Sequence, residues 1–136
     1  MQAAGHIPVD VKDLKVDFLT ASAHKFNGAK GTGFAYIRSS LNLPQLVFGG
    51  VQEKGKRAGT ENIAGIVALG TALEENVLCM ADEQERLTAI VQATIDGLKA
   101  AIPSISINAE GAKRLPGILN VTFPNASGES MMHLLD

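Results

Sequence analysis

Two short apolar runs, Asp17-Phe18-Leu19-Thr20-Ala21-Ser22 and Gly33-Phe34-Ala35-Tyr36-Ile37, bracket the polar, glycine-rich stretch from Ala23 to Thr32. Runs that are apolar without alternation read as strands buried on both faces, the kind found inside α/β sheets. The bracketed stretch continues Ser22-Ala23-His24-Lys25-Phe26-Asn27-Gly28-Ala29-Lys30-Gly31, so a lysine stands at the end of the first strand. Burial there would strip the amine of hydration and disfavour its charged form, leaving a nucleophile able to attack a carbonyl. Ser22 and His24 add a hydroxyl and an imidazole that could hold an anion beside the amine, while His24 could equally act as a general base. Gly28, Gly31 and Gly33 allow backbone to approach a ligand closely. On composition alone, a solvated loop lysine is the simpler account of Lys25. Whether the two strands form a direct hairpin or lie apart is open at this level.

The rest of the chain supports an α/β reading. Gly5-His6-Ile7-Pro8-Val9-Asp10 is an extended segment after a turn, because Pro8 keeps Ile7 out of helix, and Asp10 to Leu14 can make one helical turn. Leu41 to Phe48 breaks at Gly49-Gly50 and leads into a loop with Lys54, Lys56 and Arg57. That loop matches the spacing of a phosphate-binding P-loop from Gly50 to Lys56, but Arg57 stands where Ser or Thr is needed for magnesium. Thr60 is a good N-cap, and Ile63, Ile66, Val67, Gly70 and Leu73 follow at helical spacing, so a helix is expected from about Glu61, its start open to an anion. A second helical pattern from Asp82 to Ala101 places Leu87, Ile90, Val91, Ile95 and Leu98 on one face and stops at Pro103. The period then changes to alternation at Ile105 and Ile107, with another strand over Ile118 to Phe123. Ser127 caps a last amphipathic piece, Glu129 to Leu135.

With 136 residues and 46% hydrophobic content, the chain is in the size range of one domain and can bury a sizeable core. A net charge of -2, mixed along the chain, points to neither nucleic acid nor a membrane surface as partner. The single cysteine, Cys79, rules out an internal disulfide and fits a reducing, cytoplasmic compartment. No signal peptide is recognisable at the start, and no apolar run approaches the ~18 residues of a spanning helix. Cys79 lies in a helical pattern between Leu78 and Met80 and reads as a small hydrophobe. His6 and His133 lack ligand-type neighbours, so no metal site is expected, and His6 reads as a surface residue. Glu74, Glu75, Asp82, Glu83 and Glu85 read as a solvated helix face.

Ser22-Ala23-His24-Lys25 with Gly28 and Lys30-Gly31-Thr32-Gly33, and the later block Arg57-Ala58-Gly59-Thr60-Glu61-Asn62, resemble the NifS-like cysteine desulfurases of the class V aminotransferase group. The resemblance extends through almost the whole chain. It implies part of a pyridoxal-phosphate-dependent transferase of fold type I, with neighbouring strands in a mostly parallel sheet. On this reading residues 1–72 are the end of the cofactor-binding large domain, and residues 73–136 are linking helices and the start of a small C-terminal α+β domain.

The cofactor implied is pyridoxal 5'-phosphate, and the activity implied converts L-cysteine to L-alanine plus an enzyme-bound persulfide for iron-sulfur cluster or thio-cofactor assembly. By resemblance, Lys25 is the catalytic residue that anchors the cofactor covalently and moves protons at the substrate α-carbon. Ser22 and His24 match positions that hold the cofactor phosphate. Thr60 matches a threonine that reaches the phosphate of the partner subunit across a homodimer interface. Gln2 matches a glutamine that hydrogen-bonds the phenolic oxygen, in an Asp-Ala-x-Gln motif that is cut here before its aspartate. The persulfide-forming cysteine and the substrate-binding arginine of such enzymes lie downstream of the segment resembling Gly128 to Asp136. The expectation is therefore an internal segment, inactive alone, whose parent passes sulfur to an acceptor or scaffold protein. A selenocysteine lyase or an aminotransferase of the same class is the alternative enzyme, and a non-catalytic, packing-only piece is the alternative outside enzymes. Open strand edges and uncovered apolar surface would favour self-association.

Overall fold

The computed structural model describes residues 2–135, so Met1 and Asp136, the outermost residues of the segments read above, lie outside the described residues. The chain divides into two compact units, Met1–Met80 and Ala81–Asp136.

In the first unit, β1 (Phe18–Ser22) pairs with β2 (Gly33–Ile37) in antiparallel register from Phe18↔Ile37 to Ser22↔Gly33. The two strands are neighbours, as the resemblance implies, and of the two arrangements left open by the sequence they form the direct hairpin. The chain reverses within the short stretch Ala23 to Thr32, and a parallel pair would need a crossover of roughly a dozen residues or more. Arg38 closes the open end, donating from its amide to the Asp17 carbonyl at 2.9 Å and pairing its Nε with the Asp17 carboxylate at 2.9 Å. Both side chains are substantially exposed, so this pair contributes at most about 1 kcal/mol.

Burial of β1 on both faces is also corrected. Ala21 is buried and Leu19 half-buried on one face, whereas Phe18 is 51% exposed and Thr20 exposed on the other. The inward face joins Ala4, Ala23 and Phe26 in a small core against which Phe34, Leu69, Ala72 and Leu73 pack. The last three residues come from α2 (Ile63–Leu78). Of the residues read at helical spacing, Leu73 packs on this core, whereas Ile63, Ile66 and Val67 are 66%, 46% and 62% exposed. The helix carries two apolar stripes, and the one centred on Leu69, Ala72 and Leu73 meets the sheet. Between β2 and α2 the chain makes one irregular turn, α1 (Gln52–Gly55), in which Glu53 and Lys54 take left-handed φ of 49° and 57°. The first regular helix after Lys56 begins only at Ile63, which is unlike a P-loop.

Cys79 terminates α2 and is exposed, which corrects its reading as a packed hydrophobe. α3 (Met80–Ala101) follows. In the second unit the α3 face carrying Val91, Ile95 and Leu98 packs on Ile105, Ile107, Leu119, Val121 and Phe123. Ile90, expected on that face, is 49% exposed. β3 (Ser106–Ile107) and β4 (Val121–Thr122) are antiparallel, and the alternation at Ile105 and Ile107 puts both isoleucines in the core. α4 (Gly128–Leu135) begins where the sequence indicates, with Ser127 Oγ accepting from the Ser130 amide at 3.3 Å. Within the acidic cluster, Glu74, Glu75, Asp82 and Glu85 are exposed and Glu83 bonds Arg86 at 2.6 and 2.7 Å. Among the described residues no single helix is long and apolar enough to cross a membrane.

Phe26 has no exposed surface and is the largest fully buried side chain of the core. Phe26→Ala should therefore cost about 3–5 kcal/mol, the range for emptying a buried aromatic site. The check is urea denaturation of the whole chain followed by far-ultraviolet circular dichroism, where an unchanged midpoint would contradict the assignment.

Candidate active site

Ser22 ends β1, and the chain turns at once into a short 3-10 segment, Ala23–Lys25. The turn is tied to the sheet by the Ala23 amide, which donates to the Thr32 carbonyl at 3.0 Å. The amides of Phe26 and Gly28 both return to the Ala23 carbonyl, at 3.0 and 2.9 Å. Glycine is required at two positions for steric reasons. A Cβ at Gly28 would lie 2.8 Å from the Ala23 Cβ, and one at Gly33 would lie 2.6 Å from the Ala21 carbonyl oxygen.

Two side chains distant in sequence hold the far end of this turn. His6 Nε2 donates to the Lys25 carbonyl at 2.7 Å, and Asn76 Nδ2 on α2 donates to the Phe26 carbonyl at 2.9 Å. Asn76 Nδ2 also reaches the Ala72 carbonyl at 2.7 Å, and its Oδ1 accepts from Asn27 Nδ2 at 3.3 Å. Asn27 itself has φ of 65°, which sends the chain out of the turn. Asparagine tolerates that left-handed conformation better than most residues. Neither anchor has a local signal in the sequence, and His6, read as surface, is half-buried.

Lys25 and His24 are exposed on the turn, and Ser22 is half-buried with a hydroxyl that does not cap it. The desolvated amine expected from a fully buried strand is therefore corrected: the backbone of Lys25 is fixed, but its side chain faces solvent. The structure keeps Ser22, His24 and Lys25 together at one strand end. Gln2 and Thr60 are exposed, and among the described residues no hydrogen bond joins either to the lysine turn. Thr60 is not the helix cap. Asn62 is, its Oδ1 accepting from the Gly65 amide at 3.1 Å.

The two sequence blocks do meet in the first unit. A cleft of about 600 Å³ is lined by Ala21 and Gly33, next to Ser22, and by Lys56, Arg57, Glu53 and Ile66. Gly65 lets the start of α2 come close to the lysine loop, because a Cβ there would run into Thr32 Cγ2. The cleft runs along β2 and brings Lys56 and Arg57 to it, while Ser22, His24 and Lys25 stand at the adjoining strand end and do not line it.

The whole chain, residues 1–136, matches the aminotransferase class-V family model, and the chain belongs to that family. Among curated relatives it is similar to the cysteine desulfurase IscS of Clostridium botulinum strain Hall, 44% identical over 138 residues, with all of this chain and 35% of that protein covered. It is likewise 45% identical over 136 residues to the cysteine desulfurase IscS of Dictyoglomus turgidum, covering 34% of that protein. Among solved structures, a NifS-like protein superposes with a TM-score of 0.91 at 36% identity, covering 99% of this chain and 36% of that one. The chain thus spans about a third of the length of these relatives, and its fold is that of a stretch of the NifS-like, fold type I architecture.

Because Asn62 and not Thr60 caps α2, Asn62→Ala should lower stability by about 1 kcal/mol, whereas Thr60→Ala should leave it unchanged. Thermal melts of the two variants check this, and equal losses would reject the assignment of the cap.

Proposed function

We propose that this chain carries the cofactor-anchoring part of a pyridoxal 5'-phosphate-dependent cysteine desulfurase. The observation that carries the reading is Lys25: a primary amine exposed on a turn whose backbone is fixed at both ends, within a family-wide sequence match. The residues fit the group chemically. Lys25 Nζ would bind its aldehyde carbon, and Ser22 and His24 would donate to its phosphate. Gln2 would hydrogen-bond its phenolic oxygen. Thr60, two residues before the α2 cap, would serve the phosphate held by a second copy of the chain in a homodimer. When bound, the cofactor supplies an electron sink for charge developing at a substrate α-carbon. Lys25 then has a second task, holding or moving the proton at that carbon.

The substrate proposed is L-cysteine, giving L-alanine and a protein-bound persulfide. The sulfur is passed to an acceptor or scaffold protein in iron-sulfur cluster or thio-cofactor assembly. These assignments rest on what the curated relatives are named, together with the lysine turn. The compartment proposed is the cytoplasm. We further assign residues 1–72 to the end of a cofactor-binding large domain and residues 73–136 to linking helices and the start of a small C-terminal domain.

The test is reductive trapping. Incubation of the chain with pyridoxal 5'-phosphate and borohydride, followed by peptide mass spectrometry, should place the phosphopyridoxyl label on Lys25 ahead of the exposed lysines Lys12 and Lys30. Lys25→Ala should abolish the shifted cofactor absorbance. Labelling spread evenly over the lysines would count against the assignment.

A further inference from the structure

Lys25 is gripped through its own carbonyl by His6, 19 residues earlier in the chain. His6 comes from the turn formed by Ala4, Gly5 and His6, in which its amide donates to the Ala3 carbonyl at 3.0 Å and Gly5 takes φ of 78°. A Cβ at Gly5 would sit 3.0 Å from the Phe26 Cβ and 3.1 Å from the Asn76 Cβ. The N-terminal turn is therefore seated against the same phenylalanine and asparagine that hold the lysine loop. From that seat His6 Nε2 reaches the Lys25 carbonyl at 2.7 Å. A carbonyl oxygen only accepts, so the imidazole carries its hydrogen on Nε2 at this contact. The carbonyl of the next residue, Phe26, is taken by Asn76 at 2.9 Å. Consecutive carbonyls are thus held from two directions, by the N-terminal turn and by α2, on either side of a side chain with no exposed surface.

We propose that His6 is a positioning residue for the chemistry of Lys25, an inference that rests on Lys25 being the cofactor anchor. The peptide plane following Lys25 is held at both edges, its N–H donating to the Ala23 carbonyl at 3.0 Å and its C=O accepting from His6 at 2.7 Å, and the rotation of that plane about Cα directs the exposed side chain. Holding it in one orientation presents the amine to an incoming carbonyl from a limited set of positions, which raises the frequency of productive encounters. Without the His6 bond the turn stays folded through Phe26, Asn76 and the Ala23 carbonyl, and the Lys25 peptide, held then at its N–H edge only, can rock about that remaining bond. The role is therefore separable from folding. Glutamine can place an amide N–H near the position of Nε2, whereas alanine cannot.

The experiment uses the whole chain, with pyridoxal 5'-phosphate as the probe and timed borohydride quenching. The rate of labelling at Lys25 is read against that at Lys30 in the same sample, so that loss of folded protein or of reagent does not imitate the effect. His6→Ala should lower the Lys25-to-Lys30 ratio about fivefold, the scale of one lost hydrogen bond, with its circular dichroism spectrum unchanged. His6→Gln should retain the ratio to within about twofold. An unchanged ratio in His6→Ala, or a ratio in His6→Gln as low as in His6→Ala, overturns the inference while leaving Lys25 as the anchor. A wild-type chain with no preference for Lys25 over Lys30 overturns the functional reading itself, and the positioning role with it.

Discussion

The first unit depends on the carboxamide of Asn76. The Phe26 carbonyl lies just past the end of a 3-10 turn, where the chain leaves through the left-handed Asn27, so the turn offers it no continuing ladder of hydrogen bonds. Asn76 supplies the missing donor from a helix 50 residues further along, and its oxygen takes the Asn27 side chain in return. A buried carbonyl without a partner costs about 1–3 kcal/mol, comparable to the gain from burying the phenylalanine ring itself. The polar bond and the apolar contact therefore stabilise the same geometry, in which α2 packs on the strand end and the lysine turn lies between them.

Local signals located the elements well and their faces poorly. The limits of β2, the end of α3 before Pro103 and the Ser127 cap were legible because glycine, proline and serine act through backbone geometry close to themselves. The strand burial was not. Phe18 and Thr20 look like part of a continuous apolar run, but only Leu19 and Ala21 point at α2. Thr60 and Asn62 are both competent caps, and what selects Asn62 is the bond to Gly65, a glycine whose bare Cα accommodates Thr32 from the lysine loop. The anchors His6 and Asn76 left no local trace, since a polar side chain whose partner lies 19 or 50 residues away has no periodicity. The chemistry of the strand end was legible mainly through the resemblance of two sequence blocks, and the cleft that joins Gly33 with Arg57 gives that resemblance a spatial counterpart.

Both cores are small, and much apolar surface stays in water. Leu46, Phe48 and Val51 in the loop before α2 are 88%, 82% and 85% exposed, and Leu134 and Leu135 on α4 are 85% and 84% exposed. Scattered exposed leucines are ordinary in globular proteins, but several within one six-residue loop are not. Such surface is compatible with a stretch that spans about a third of its relatives' length, and it explains why helical periodicity overstated burial. Amphipathic patterning records every apolar contact a sequence is built to make, and these two units make only some of them.

The exposed Lys25 side chain bears on how the turn can contribute to chemistry. One physical route to a reactive amine is burial, which removes hydration, and another is orientation, which leaves hydration alone and restricts the directions of approach. The residues described here supply the second. Lys25 keeps its contact with solvent, while its backbone is tied through Ala23 to the sheet, through His6 to the N-terminal turn and, one residue on, through Asn76 to α2. Any desolvation must then come from what covers the strand end. The division is physically sensible, because an amine that is to be reached from solvent cannot be sealed from water in advance. A rigid turn beneath an open side chain meets both requirements.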